Sequence, residues 1–296
     1  MQIEVRKLTK RFGRVEALRG LDFDVAAGQR VAIVGPNGSG KSTLNRVLLG
    51  LLAYEGEVRI GGSDAFEERA QIARRIAYVP QLAPPLAVPV SEWISAVTRL
   101  RGLSAGAIPD KAARLGLSLD ALAARPFRAL SGGTRQKLLV AMALAAEPSL
   151  LILDEPTGSL DPESRARVLA LVDALPRDTT VLLCSHRLSE IRSLVGEVIA
   201  LAEGAIVSRG PVRSYLDATL HSVIEVAADA GAAAWLDARG FRRGAGGWWV
   251  RTVARAEKIA LLGELPATLG ADLRDVCVRD GEALPAPSQS GGRHAA

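Results

Sequence analysis

The sequence predicts an α/β chain: a largely parallel sheet flanked by helices, an inserted helical segment, and a smaller α+β unit after it. Three observations predict it. Short aliphatic runs such as Val31–Val34, Leu150–Leu153 and Val181–Leu183 read as strands buried on both faces, the habit of parallel sheets. The strand at Arg30–Val34 passes through a glycine-rich loop into a helical pattern beginning at Leu44. The C-terminal quarter reads as β-α-β-β-α-β.

The N-terminal stretch alternates at Ile3–Arg6 and again at Leu18–Val25, so both read as half-buried strands. Phe12 lies between them, an aromatic that could stack on a base or fill a core. The loop Gly35-Pro36-Asn37-Gly38-Ser39-Gly40-Lys41-Ser42-Thr43 then fits G-x-x-x-x-G-K-[ST], in the strand–loop–helix context that this phosphate-binding pattern requires. Glycines let backbone N–H groups turn inward and approach phosphate oxygens. The helix behind the loop aims its positive end at the same oxygens. Lys41 is placed to reach the β- and γ-phosphates, Ser42 to ligate Mg²⁺ and Thr43 to hold the α-phosphate.

A strand at residues 55–62 and a polar helix at about 64–74 follow, then a buried strand at Ile76–Val79 that stops at Pro80-Gln81. Ligands of α/β sheets sit past strand ends, which makes Gln81 a candidate. Residues 82–130 change character. Pro84, Pro85 and Pro89 open them, helical patterns follow at about 91–101 and 107–124, and no strand is expected. Ser131-Gly132-Gly133 leads into a helix from Thr134 to Ala146, an N-cap followed by exposed backbone N–H groups: a second anion site. Asp154 and Glu155 emerge at the end of the strand Leu150–Leu153. Asp154 is placed to hold Mg²⁺ through water, and Glu155 to polarise an attacking water. Asp161 opens a helix at about 162–174. His186 tips the strand Thr180–Cys184, where it could touch a γ-phosphate.

These pieces, in this order, resemble the nucleotide-binding subunit of ATP-binding cassette (ABC) transporters over about residues 2–215. Phe12 is similar to the adenine-stacking aromatic, usually a tyrosine. Gly35–Thr43 resembles the Walker A loop and Gln81 the Q-loop glutamine, a further Mg²⁺ contact. Leu130–Gly133 resembles the signature, Asp154-Glu155 the end of Walker B, Ser159–Asp161 the D-loop, and His186 the switch histidine. The resemblance implies a P-loop NTPase fold of the ABC ATPase type over residues 1–217, with a helical subdomain at about 82–147. It implies ATP and Mg²⁺ as ligands and hydrolysis of ATP. It also implies a head-to-tail pair of copies, each ATP lying between the Walker A loop of one and Ser131, Gly132 and Gly133 of the other. The permease would be a separate transmembrane chain.

Composition agrees with a cassette lacking its own membrane part. Apolar content is 48%, but Glu147 and Pro148 break the longest run, and Met1–Arg6 lacks the apolar core of a signal peptide. A cytoplasmic chain held at the inner face of the cell membrane through its permease is expected. Two cysteines, Cys184 and Cys277, show no metal spacing. The net charge of +5 is scattered, without the aromatic-lined basic stripe that direct nucleic-acid binding needs.

Residues 218–283 read as a ferredoxin-like sandwich carrying Trp235, Trp248 and Trp249, of which at least two are expected in its core. Residues 284–296 are expected to be disordered. The run Ser131–Lys137 and the Cys184-Ser185-His186 strand end are similar to subunits of the copper-processing, nitrous-oxide-reductase maturation type. The same features occur in exporters of drugs, lipids or polysaccharides. A soluble cassette ATPase of translation or DNA repair fits less well, because such chains carry two cassettes or long coiled coils.

Overall fold

A computed structural model describes residues 1–282, so the tail expected to be disordered lies outside the described residues. The chain divides after Val212 into two compact units, five residues before the boundary expected from sequence.

The first unit opens on a hairpin, β1 (Ile3–Phe12) and β2 (Val15–Val25). Then come β3 (Arg30–Val34), α1 (Lys41–Leu48), β4 (Glu55–Ile60), β5 (Ser63–Asp64), α2 (Arg69–Ile72) and β6 (Ile76–Val79). Four helices follow: α3 (Val90–Arg101), α4 (Ala107–Arg114), α5 (Leu119–Leu122) and α6 (Gly132–Ala145). The remainder is β7 (Leu150–Asp154), α7 (Pro162–Asp173), β8 (Thr180–Cys184), α8 (Leu188–Leu194), β9 (Glu197–Ala202) and β10 (Ala205–Pro211).

Two sheets result. One has the order β2-β1-β4-β5 and is antiparallel; the other runs β10-β9-β3-β8-β7-β6. In the second, β9, β3, β8, β7 and β6 are parallel and only the edge strand β10 runs against its neighbour. Ile3, Val5 and Phe23 of the first sheet and Ile33, Ile152 and Leu182 of the second share one core with Leu44, Val47 and Leu48 of α1. Burying each such side chain contributes about 1.5–3 kcal/mol. That core fixes α1 behind the loop that precedes it.

Two expectations are corrected. The polar helix at 64–74 is one turn only. Asp64 Oδ1 accepts from the backbone N–H groups of Phe66 and Glu67, a side-chain turn that competes with helix. The helix expected over 107–124 is two. Gly116 takes φ 71°, and the N–H groups of Gly116 and Leu117 bond back to the carbonyls of Ala113 and Ala112, ending α4 in a left-handed cap. Around these helices Phe127 and Ile108 are fully buried, and Trp93 meets Phe127 edge-on with ring centroids 4.3 Å apart.

The second unit begins within α9 (Val212–Thr219) and continues through β11 (Leu220–Ala228), α10 (Ala233–Ala238), β12 (Arg242–Arg243), β13 (Trp249–Ala254), α11 (Arg255–Leu269) and β14 (Leu273–Glu282). Its sheet order is β12-β13-β11-β14 with every neighbour antiparallel, the pairing of a split β-α-β sandwich. Phe241, Trp249, Leu236 and Leu265 form its core, with Trp235 packed against them and Trp248 only half-buried.

Candidate functional site

The C-terminal ends of β3, β6, β7 and β8 meet, and a cleft lies there. It is lined by Ala17 from β2, by Asn37, Gly38, Gly40, Lys41, Ser42 and Thr43, and by Gln81, Asp154 and Glu155. The crossover rules of parallel sheets put loops from different strands on one edge, so residues far apart in sequence converge.

The loop after β3 is built on glycine where the chain passes closest to its neighbours. Gly35 has φ 147°, and a Cβ there would stand 2.1 Å from the Leu201 carbonyl oxygen and 2.8 Å from Ser39 Oγ. Gly40 has φ 103°, and its Cβ would meet the Ala17 carbonyl oxygen at 2.7 Å. Gly35→Ala should therefore destabilise the protein by about 1–3 kcal/mol through overpacking and weaken ATP affinity with it. Thermal melts with and without ATP read both effects, and two unchanged values would show that the loop has slack.

Lys41 begins α1 and turns back over the loop, its Nζ donating to the carbonyls of Gly35 at 2.6 Å and Pro36 at 3.0 Å. The ammonium thus sits at the mouth of the loop. Asp154 ends β7 in a largely buried setting. Burial raises its carboxyl pKa, while hydrogen bonds from Asn45, Tyr78 and Ser42 and the Lys41 charge pull it down. The Tyr78 hydroxyl donates to Asp154 Oδ2 at 3.4 Å, and burial pushes that phenol up. Cys184, fully buried beside Asn45, has its thiol pushed up to about 12, first by burial and then by Asp154.

Glu155 follows in a left-handed backbone conformation, φ 47°. For a residue with a Cβ this costs roughly 1–2 kcal/mol, offset here by the Glu155 N–H bond to the Cys184 carbonyl at 2.8 Å. Its Oε1 lies 2.8 Å from His186 Nδ1 and accepts from the His186 backbone N–H at 3.1 Å. Its Oε2 is buried and accepts no hydrogen bond from the protein. The His186 ring itself is exposed.

Of the residues singled out by sequence, the cleft gathers Asn37, Gly38, Gly40, Lys41, Ser42, Thr43, Gln81, Asp154 and Glu155. Phe12 is exposed at the end of β1 beneath the Lys10 ammonium and does not line the cleft. Ser131, Gly132 and Gly133 do not line it either. Ser131 Oγ caps α6 by accepting from the Thr134 N–H, and Gly132 and Gly133 pack beside Ser159. Asp161 caps α7, accepting from the Ser164 N–H at 2.8 Å, which holds its carboxyl below the usual range. Sequence reading missed Asn45 and Tyr78. Asn45 did carry a signal: a polar residue flanked by Leu44, Val47 and Leu48 in α1.

The described residues hold no cluster of three or more His, Cys, Asp or Glu side chains suited to a metal. Ser42, Gln81 and Asp154 nevertheless offer hydroxyl, amide and carboxylate oxygens to one cleft. Sparse oxygen ligands beside a phosphate site suit Mg²⁺, which keeps much of its water.

The family described as ABC transporter matches residues 18–158. The putative ABC transporter ATP-binding protein SCO3161 of Streptomyces coelicolor is 36% identical over 208 residues, covering 68% of this chain and 79% of that protein. This chain belongs to the ABC transporter ATP-binding family. The daunorubicin/doxorubicin resistance ATP-binding protein DrrA of Streptomyces peucetius is 37% identical, covering 70% of this chain. The match spans 64% of DrrA's own length. Among solved structures, a dimeric post-hydrolysis state of the ATP-binding cassette MJ0796 bound to ADP and Pi superposes with a TM-score of 0.64 at 25% identity. It covers 71% of this ABC chain and 99% of MJ0796. The family match, residues 18–158, lies within the first unit, as does the cleft.

Proposed function

We propose that this ABC chain binds and hydrolyses ATP, pairs head to tail with a second copy, and energises a separate transmembrane permease at the inner face of the cell membrane. The observation that carries the reading is the split between its two anion-binding helix starts. Lys41 at the start of α1 faces the cleft, whereas Ser131–Gly133 at the start of α6 does not line it. Two such chains would complete each other's sites, and bound ATP would supply the charge that joins them. The dimeric MJ0796 cassette supports this. No helix among the described residues is long and apolar enough to cross a membrane.

Each residue then has a physical task. The Walker A backbone and Lys41 hold the phosphates, and Phe12 offers a face to the adenine. Glu155 Oε2 accepts a hydrogen bond from the attacking water, and His186 keeps Glu155 aimed while its exposed ring faces the γ-phosphate. The water oxygen bonds to the γ-phosphorus, the bond to the β–γ bridging oxygen breaks, and ADP and phosphate leave. Ser42, Gln81 and Asp154 would hold Mg²⁺, which supplies Lewis-acid neutralisation of the phosphate charge. Loss of phosphate removes the charge bridging the two copies, and the pair opens.

Two cargo readings differ in support. Export is compatible with the likeness to DrrA, and import is equally compatible with relatives such as the phosphonates import ATP-binding protein PhnC of Frankia casuarinae, 38% identical. Copper processing rests on the resemblance around Ser131 and Cys184 alone, and the Cys184 thiol is buried against Asn45 rather than open to a metal. The test is co-purification of tagged Glu155→Gln protein from gently solubilised membranes with ATP present. A polytopic membrane protein in the eluate supports the transporter reading, and a copper-delivery protein beside it would restore the copper one. Ribosomes or repair proteins without a membrane chain would overturn it.

A further inference from the structure

We infer that Glu190, which no motif marked, is a positioning residue that sets the geometry of Glu155 and His186. The inference rests on the ATP-hydrolysis reading above. Glu190 lies in α8 and is fully buried, and a carboxylate removed from water needs partners. It has them on both neighbouring strand ends. Oε1 accepts from Thr157 Oγ1, on the turn that leaves β7 just after Glu155. Oε2 accepts from Ser185 Oγ at 2.9 Å, on the turn that leaves β8 just before His186. Ser185 Oγ in turn accepts from the Arg187 N–H at 3.0 Å, and Arg187 Nε stands 3.7 Å from Glu190 Oε1.

One carboxylate therefore clasps the two segments that carry the hydrolytic pair. Residues on both sides of His186 are tied to it, and so is the residue two places after Glu155. The 2.8 Å contact between His186 Nδ1 and Glu155 Oε1 spans the same two segments on the cleft side. A packed clasp behind a catalytic contact restricts how far the two groups can drift. A misplacement of about 1 Å at a reacting group can cost ~100-fold in rate. Glu190 does not line the cleft and touches no reacting atom, so it acts through the pair alone.

The test uses the full chain and single-turnover ATP hydrolysis, which resolves slow variants. Glu190→Gln and Thr157→Val should each lower the rate of the chemical step by about 10–100-fold and shift KM for ATP by less than about threefold. Thr157→Ser, which keeps the hydroxyl, should stay within about threefold of the parent rate. In a His186→Ala background, Glu190→Gln should cost no more than about twofold further, because the geometry it maintains is already lost. Equal losses in both backgrounds, or a rise in KM matching the fall in rate, would overturn the positioning role and leave the ATPase reading standing. A parent protein that binds ATP but never hydrolyses it would overturn both. Thr157→Val keeps the side-chain shape, so it answers the question if Glu190→Gln does not fold.

Discussion

Replacing Glu155 with glutamine should lower the rate of ATP hydrolysis by about 10²–10⁴-fold, the range lost when a general base is removed, while ATP still binds. The substitution keeps the length of the side chain and the hydrogen bond that its Oε1 accepts from the His186 backbone N–H. What it removes is the negative charge behind Oε2, the buried oxygen without a partner. The amide at that position donates rather than accepts, so it cannot orient a water for attack. Lys41, Ser42 and the loop carbonyls are untouched, so affinity for ATP should change by less than about threefold. Because the bridging charge then persists, the Glu155→Gln protein should dimerise in ATP and remain dimeric. Steady-state hydrolysis and size-exclusion chromatography with ATP read both effects. A Glu155→Gln protein that turns over ATP at the parental rate would sink the role assigned to the carboxylate.

Replacing Lys41 with alanine should instead act on binding. A hydrogen bond to a charged group contributes about 1.5–3 kcal/mol, which corresponds to roughly 10- to 150-fold in affinity. In the free chain the Nζ is held by the Gly35 and Pro36 carbonyls, so the cation is already at the loop before a phosphate arrives. Removing it deletes the positive charge and opens those two carbonyls to water. Their exposure is partial, so the fold should lose little stability. Calorimetric titration with ATP should show the weakened affinity, with a melting temperature close to that of the parent in the absence of nucleotide. Parental affinity would mean that the backbone N–H groups and the α1 dipole hold the phosphates without the lysine. Hydrolysis falls in both variants, but only Lys41→Ala loses it through affinity, and that separates the two residues.

The contrast between these variants shows which parts of the site could be read in advance. Lys41 and Glu155 were legible because their chemistry is local. One follows a glycine loop that only glycine can make at Gly35 and Gly40, and the other terminates a strand with no polar residue before Asp154. Asn45, Tyr78 and Glu190 were not, since each acquires its partner only when separate strands come together. Glu190 stands in no motif of the sequence, yet it is fully buried. The helix breaks also escaped. Gly116 lies inside a pattern that periodicity alone reads as continuous, and its backbone hydrogen bonds decide otherwise.

By itself the sequence determined the α/β class, the order of the elements, the nucleotide-type loop and the βαββαβ order of the second unit. These follow from local rules: side-chain periodicity, glycine where the backbone needs it, and caps at helix starts. Only the tertiary structure decided which strand ends share the cleft, that Glu155 is held by His186 and left with one oxygen that accepts no hydrogen bond from the protein, and that Ser131–Gly133 does not line the cleft of its own chain. The physical reason is that parallel pairing joins strands distant in sequence. The contacts that orient a catalytic group therefore form between segments whose spacing in sequence carries no trace of their distance in space.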